Sequence, residues 1–185
     1  MGKVVVFLAD GFEEIEALTV VDMLRRMEKE TLTVSVGKKK TVTGSHSIPV
    51  EADVLFSDCD FSDVDMAVLP GGMPGTLHLM EHKGLATLLK KLDKEKKYIA
   101  AICAAPSVLG ANGLLLGRHA TCFPGFEERL TGAEVLKDAV VVDGNIITSR
   151  GMGTAIAFSA ALISLLFNEE TAQNLLDDIQ YRKGE

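Results

Sequence analysis

Three cysteines, four histidines and a group of glutamates near the start are the residues of this sequence with chemistry to offer. Cys103 stands apart by its setting. It follows the apolar run Tyr98 to Ile102 and precedes Pro106, which fits the first turn of a helix running to about Gly110. A thiol placed where a buried strand becomes a helix meets free amides and the positive end of the helix dipole. Both favour an anion, so its pKa is expected below the usual ~8.5. Two readings of Cys103 stand side by side: a nucleophile, or a small apolar filler of the core, since free cysteine is among the most buried residue types.

A nucleophilic thiol needs a group to manage its proton and donors for a developing oxyanion. The amides of Ala104, directly after the sulfur, and Gly72, in the side-chain-poor loop PGGMPG, are the candidate donors, with Gly71 beside them. Histidine is the usual proton partner, but His78, His82 and His119 lie in no loop aimed at Cys103. His46, in a GSH setting, stays more open. Glu16 is the stronger partner: it opens the first helix after the first strand, where an inward carboxylate could meet Cys103. Two such groups cannot both be charged in a partly dry pocket, so a thiolate would leave Glu16 protonated and able to act as general acid and base. The alternative is that Glu13, Glu14 and Glu16 only complement a helix dipole. Cys59, between Asp58 and Asp60, reads as a surface thiol that resists ionisation. The odd, widely spaced cysteines argue against a disulfide framework and a zinc site, and no metal or cofactor is expected.

The elements that must position these groups alternate. Lys3 to Ala9 is a β-branched run suited to a parallel strand covered on both faces. A helix from Phe12 follows, with Ile15, Leu18, Val21, Met23 and Leu24 as its apolar stripe, and then a strand at Thr31 to Val36. Lys38, Lys39 and Lys40 sit at a turn, and Gly44 to Val50 reads as irregular or edge structure. Met66 to Leu69 is a buried strand, Leu85 to Leu92 a helix, Ala120 to Phe123 a short strand. Val140 to Val142 and Ile146 to Thr148 form a hairpin, and helices span Ala155 to Phe167 and Glu169 to Ile179. This pattern predicts a doubly wound parallel sheet with ligands at the carboxyl ends of its strands, and puts the loops after Ala9, Leu69 and Ile102 on one rim. The GxG of SRGMGT is half a dinucleotide fingerprint, but Ile156 replaces the third glycine, so no nucleotide site is expected.

Composition narrows the classes. With 185 residues, 47% of them apolar, one domain over 1–185 is expected. The net charge of −7 disfavours nucleic acid and anionic membrane as partners. The apolar start is too short for a signal peptide and the run from Ala155 to Phe167 too short for a membrane span, so the whole chain is expected in a reducing cytoplasm.

LADGFEEIEAL, VLPGGMPG, AAICAAPSVLGANGLL and TSRGMGTAIAF occur in the order of the ThiJ/PfpI superfamily. The chain most resembles the branch that contains the human parkinsonism-linked deglycase and bacterial YajL. The resemblance implies a flavodoxin-like three-layer sandwich, a mostly parallel sheet with helices on both faces, and a homodimer. It assigns Cys103 as nucleophile, Glu16 as the buried glutamate bonded to it, and Gly72 and Ala104 as amides near the sulfur. It places Arg26 and His46 near the site or the dimer interface. Phe123 stands where the human relative has a histidine, which leaves Cys103 and Glu16 as the working pair. Ala104 replaces the histidine of the peptidase-like branch, so proteolysis is not expected. The implied activity is glyoxalase or protein deglycase chemistry on small dicarbonyls or glycated protein. The rival readings are an oxidative-stress sensor or chaperone with Cys103 as sulfinate, and a small-amide hydrolase.

Overall fold

The computed structural model describes residues 2–181. β1 (Lys3–Leu8) leads to α1 (Glu14–Arg26) and β2 (Thr31–Ser35). A small hairpin of β3 (Thr41–Thr43) and β4 (Pro49–Glu51) and the short β5 (Val54–Leu55) precede β6 (Val64–Leu69). α2 (Gly75–Glu81) and α3 (Lys83–Lys94) lead to β7 (Tyr98–Ile102), which turns through Cys103 into α4 (Pro106–Ala111). β8 (His119–Ala120) pairs with β9 (Glu134–Val135). β10 (Val140–Asp143) and β11 (Ile146–Ser149) make the expected hairpin, and α5 (Ala155–Leu166) and α6 (Glu169–Asp178) follow.

Seven strands form one sheet in the order β10-β11-β7-β6-β1-β2-β5, parallel except for the β10–β11 pair. Successive strand residues face opposite ways, and the burial follows. Val4, Val6, Leu8, Met66, Val68, Ala100 and Ile102 join the layer of α1, α5 and α6, while Val5, Phe7, Ala67, Leu69, Ile99 and Ala101 join the layer of α3 and α4. This is the flavodoxin-like sandwich that the residue pattern and the resemblance imply. Each fully buried side chain of the size of Phe7 or Phe158 contributes about 1.5–3 kcal/mol.

The first helix departs from the expected stripe. Ile15 is 49% exposed, whereas Glu14 and Glu16 are buried. Ala17, Val20, Val21 and Leu24 set the phase of α1 against the sheet, and Glu16 lies four and eight residues from Val20 and Leu24, on the same face. Packing of the later turns thus pulls a carboxyl inward at the first. Cys59 is half-buried against the second layer and not a surface residue. Burial, with the Asp60 charge, does push its thiol pKa up. Among the described residues no helix is long and apolar enough to cross a membrane.

Candidate active site

β1 is the point at which the strand order turns: β2 and β5 lie to one side, β6, β7 and β11 to the other. The loops leaving β1, β6 and β7 meet at the carboxyl ends as expected, and backbone bonds tie them together. Glu13 N donates to Gly71 O at 2.9 Å, Gly75 N to Gly11 O at 3.2 Å, Cys103 N to Ser149 O at 3.0 Å, and Phe123 N to Cys103 O at 2.9 Å. Loops this close leave no room for side chains. A Cβ on Gly71 would stand 2.7 Å from Cys103 Cβ and 2.8 Å from Glu16 Oε2, and Gly72 takes φ +86°.

Cys103 adopts the left-handed conformation at φ +65°, which costs a residue other than glycine about 1–2 kcal/mol. The bonds on either side of it, to Ser149 and from Phe123, hold it there. Strain of this kind persists where the surroundings over-determine it, and it aims the half-buried side chain out of the strand-to-helix turn. Pro106 occupies the start of α4. The amides of Gly72 and Ala104 lie beside the sulfur and work to lower its pKa.

The thiol nevertheless does not show the lowered pKa expected of a helix start. Burial, then the charge and hydrogen bond of Glu16, push Cys103 up to about 12, and the two amides do not offset them. Burial likewise pushes Glu16 up to about 7, against the amide of Gly71 and the Cys103 contact. The two groups titrate as one unit. Near neutrality the pair loses its first proton, and the second is held tightly. Glu16 is 1% exposed; its Oε2 accepts from Gly71 N at 2.8 Å, and its buried Oε1 has no well-aligned partner although the thiol is within hydrogen-bonding reach. A proton on Oε1 directed at the sulfur would satisfy both, with the charge on a sulfur whose pKa two amides already work to lower.

Residues 2–165 match the DJ-1/PfpI family. The chain belongs to the DJ-1/PfpI family. It is 42% identical over 175 residues to protein DJ-1 homolog A of Arabidopsis thaliana, covering 93% of this chain but only 45% of that relative, so the chain spans less than half its length. It is 32% identical over 166 residues to a protein of Pyrococcus abyssi named as a deglycase, covering 89% of this chain and 99% of the relative. Among solved structures, oxidized Toxoplasma gondii DJ-1 superposes with a TM-score of 0.94 at 36% identity, covering 98% of this chain and 99% of the other.

Within this DJ-1/PfpI fold the expected residues separate into two groups. Cys103, Glu16, Gly72 and Ala104 come together. Gly71 belongs with them, but its amide serves Glu16 and so is not a free donor for substrate. Phe123 is beside the site: a Cβ on Gly151 would stand 3.1 Å from its ring and 3.9 Å from Cys103 Sγ. Within a single chain Arg26 lies away from Cys103. It is exposed, paired with Asp22 at 2.7 Å, and ten residues along α1 from Glu16, a rise of about 15 Å. His46 meets Glu14 at 3.0 Å instead of Cys103. His78 bonds Asp10 O, and His82 is half-buried, caps α3 and packs on Phe56.

Sequence reasoning missed the pocket of about 300 Å³ lined by Phe123, Arg150, Gly151 and Met152. The signal was present in SRGMGT: these residues leave the carboxyl end of β11, the parallel neighbour of β7, and so must border Cys103.

Proposed function

We propose that this chain is a thiol enzyme acting on small reactive dicarbonyls, or on the early adducts they form on proteins, with Cys103 as nucleophile and Glu16 as proton carrier. One observation carries the reading: a buried carboxyl with an unsatisfied oxygen sits against a half-buried thiol, and the pair gives up a proton near neutral pH. The relatives from Pyrococcus abyssi and Thermococcus kodakarensis named as deglycases support the substrate class.

The thiol proton passes to Glu16 as sulfur bonds to the aldehyde carbon, and Glu16 returns it to the carbonyl oxygen, giving a hemithioacetal. The Glu16 carboxylate then takes the proton from that carbon to give an enediol, the hydroxyl proton of that carbon passes to the former ketone oxygen, and return of the first proton to the neighbouring carbon produces a 2-hydroxy thioester. Water cleaves the thioester to a 2-hydroxy acid and restores the thiol. The sequence consumes only the dicarbonyl and water, so it requires no cofactor. In this reading the described fold acts as one domain, in a homodimer, in the cytoplasm. Lactate formed from methylglyoxal should fall at least a hundredfold in Cys103→Ser and at least tenfold in Glu16→Gln. Equal yields from wild type and Cys103→Ser would remove the enzymatic reading.

A second reading draws on the solved relative being an oxidized DJ-1. Thiolate at Cys103 would reduce two peroxides to water in turn, passing through sulfenate to a sulfinate, with the Gly72 and Ala104 amides as donors to the new oxygens. Graded peroxide followed by intact mass tests it. Two oxygens should appear at Cys103 before any at Cys59 or Cys122.

A further inference from the structure

The pocket beside Cys103 differs in character from the other surroundings of the sulfur. Glu16 and the amides of Gly72 and Ala104 are polar and act on the thiol, whereas the pocket of about 300 Å³ offers almost only carbon. Phe123 and Met152 line it while 47% and 51% exposed, and Pro124 continues the wall. The polar groups on its rim are engaged elsewhere. Thr154 Oγ1 lies 2.7 Å from Ser149 Oγ and donates to Gly151 O at 2.8 Å. The charge of Arg150 acts on Glu127 and Cys122.

Gly151 joins this pocket to the reacting atom. A Cβ there would stand 3.1 Å from the Phe123 ring and 3.9 Å from Cys103 Sγ, so the missing side chain leaves a lane between ring and sulfur. Carbon walls with a few convergent polar groups at one end are the usual make-up of a small-molecule site. We propose that this pocket is the subsite for the apolar substituent of the carbonyl compound that Cys103 attacks, and that Phe123 and Met152 favour 2-oxoaldehydes bearing an aryl or branched alkyl group. The subsite rests on the reading of Cys103 as an attacking thiol and adds to it the choice of substrate.

The chemistry of the adduct fits this division. Once sulfur has bonded to the aldehyde carbon of R–CO–CHO, both oxygens need donors, and Glu16 with the two amides supplies them. The group R begins one carbon beyond the aldehyde carbon, where the lane over Gly151 leads to the Phe123 ring. An aryl group there gains ring and thioether contacts from Phe123 and Met152. A carboxylate in the same place would give up water and find no partner, so 2-oxo acids are disfavoured.

Alkylation by phenacyl bromide and by bromoacetone tests the subsite without turnover. Each joins R–CO–CH₂ to the sulfur as bromide leaves, with R placed as in the adduct. Rates at Cys103, followed by peptide mass, are divided by those of glutathione under the same conditions. The normalised ratio of phenacyl to acetonyl should be at least about tenfold, the range an apolar pocket gives for added carbon. Phe123→Ala and Met152→Ala should each lower it, and together return it to the glutathione value. Both side chains are half-exposed, and thermal melts check that the variants fold. A ratio equal to that of glutathione in wild type, a ratio that both variants keep, or no labelling of Cys103 by either reagent would overturn the subsite. Turnover of phenylglyoxal and methylglyoxal separates this from the enzymatic reading: absence of both products with the alkylation preference intact would remove the dicarbonyl chemistry and support the subsite.

Discussion

Gly71 gives its amide to Glu16 Oε2 at 2.8 Å, while the next amide in the chain, that of Gly72, works to lower the pKa of the Cys103 thiol. Two consecutive peptide groups from one loop thus serve the two halves of a proton-sharing pair. The loop holds carboxyl and thiol at a fixed separation, although they are 87 residues apart in sequence.

Gly71→Ala tests how closely that separation is set. The added methyl would fall 2.7 Å from Cys103 Cβ and 2.8 Å from Glu16 Oε2, so one of them must move. Overpacking of this kind costs about 1–3 kcal/mol. A lower melting temperature and at least a tenfold slower alkylation of Cys103 are expected. An unchanged alkylation rate would show that the pair tolerates displacement.

Glu16→Gln should stabilise the protein at neutral pH and not in acid. The folded pKa of Glu16 is raised from 4.5 to about 7, chiefly by burial. A raised folded pKa stabilises fully below the unfolded value and loses that contribution as pH rises through the folded one. The window is therefore pH 4.5 to 7, and the full loss for such a shift is about 3 kcal/mol. Urea unfolding at pH 4.5 and pH 8 should show wild type losing stability relative to Glu16→Gln. Parallel pH profiles would contradict burial as the cause.

Away from the site, Asp65 joins Lys29 at 3.2 Å and Lys97 at 3.0 Å. Burial works to raise its pKa, but hydrogen bonds from the two lysines outweigh it and hold the carboxyl below its ordinary value. The Lys29 side chain is 3% exposed, and its other hydrogen bond goes to Gly2 O. Asp65→Asn leaves that ammonium buried and poorly compensated, which costs about 3 kcal/mol. Urea denaturation at pH 7 measures it, and a loss no larger than that of Lys97→Ala would mean that Lys29 finds water.

The sheet was legible because its strands carry β-branched runs with one meaning, and because alternation of strand and helix admits few topologies. Cys103 and Glu16 were legible as types at strand ends. The phase of α1 was not: Ile15 looks like core and Glu16 like a helix-start acid, and only the packing of Val20 and Leu24 reverses them. Nor was the thiol's pKa, because the helix-start argument counts amides and omits burial and a facing carboxylate. The meeting of His46 with Glu13 and Glu14 depends on how one hairpin folds over a helix start, and no local pattern encodes it.

The titration of Cys103 bears on the proton sharing itself. With Glu16 at about 7 and Cys103 at about 12, the pair holds one proton across the intervening range. If that proton exchanges between oxygen and sulfur, a constant fraction of thiolate exists throughout. Alkylation by iodoacetamide should then rise through a step near pH 7 and stay flat to about pH 10, unlike a free thiol, which gains reactivity about its pKa of ~8.5. Glu16→Gln removes both the proton acceptor and the repelling charge, so the step near 7 should vanish and a single later rise replace it. Survival of the neutral step in Glu16→Gln would assign it to another group. Inertness of the wild type up to strongly alkaline pH would mean that the proton stays on sulfur and that this cysteine is a buried filler.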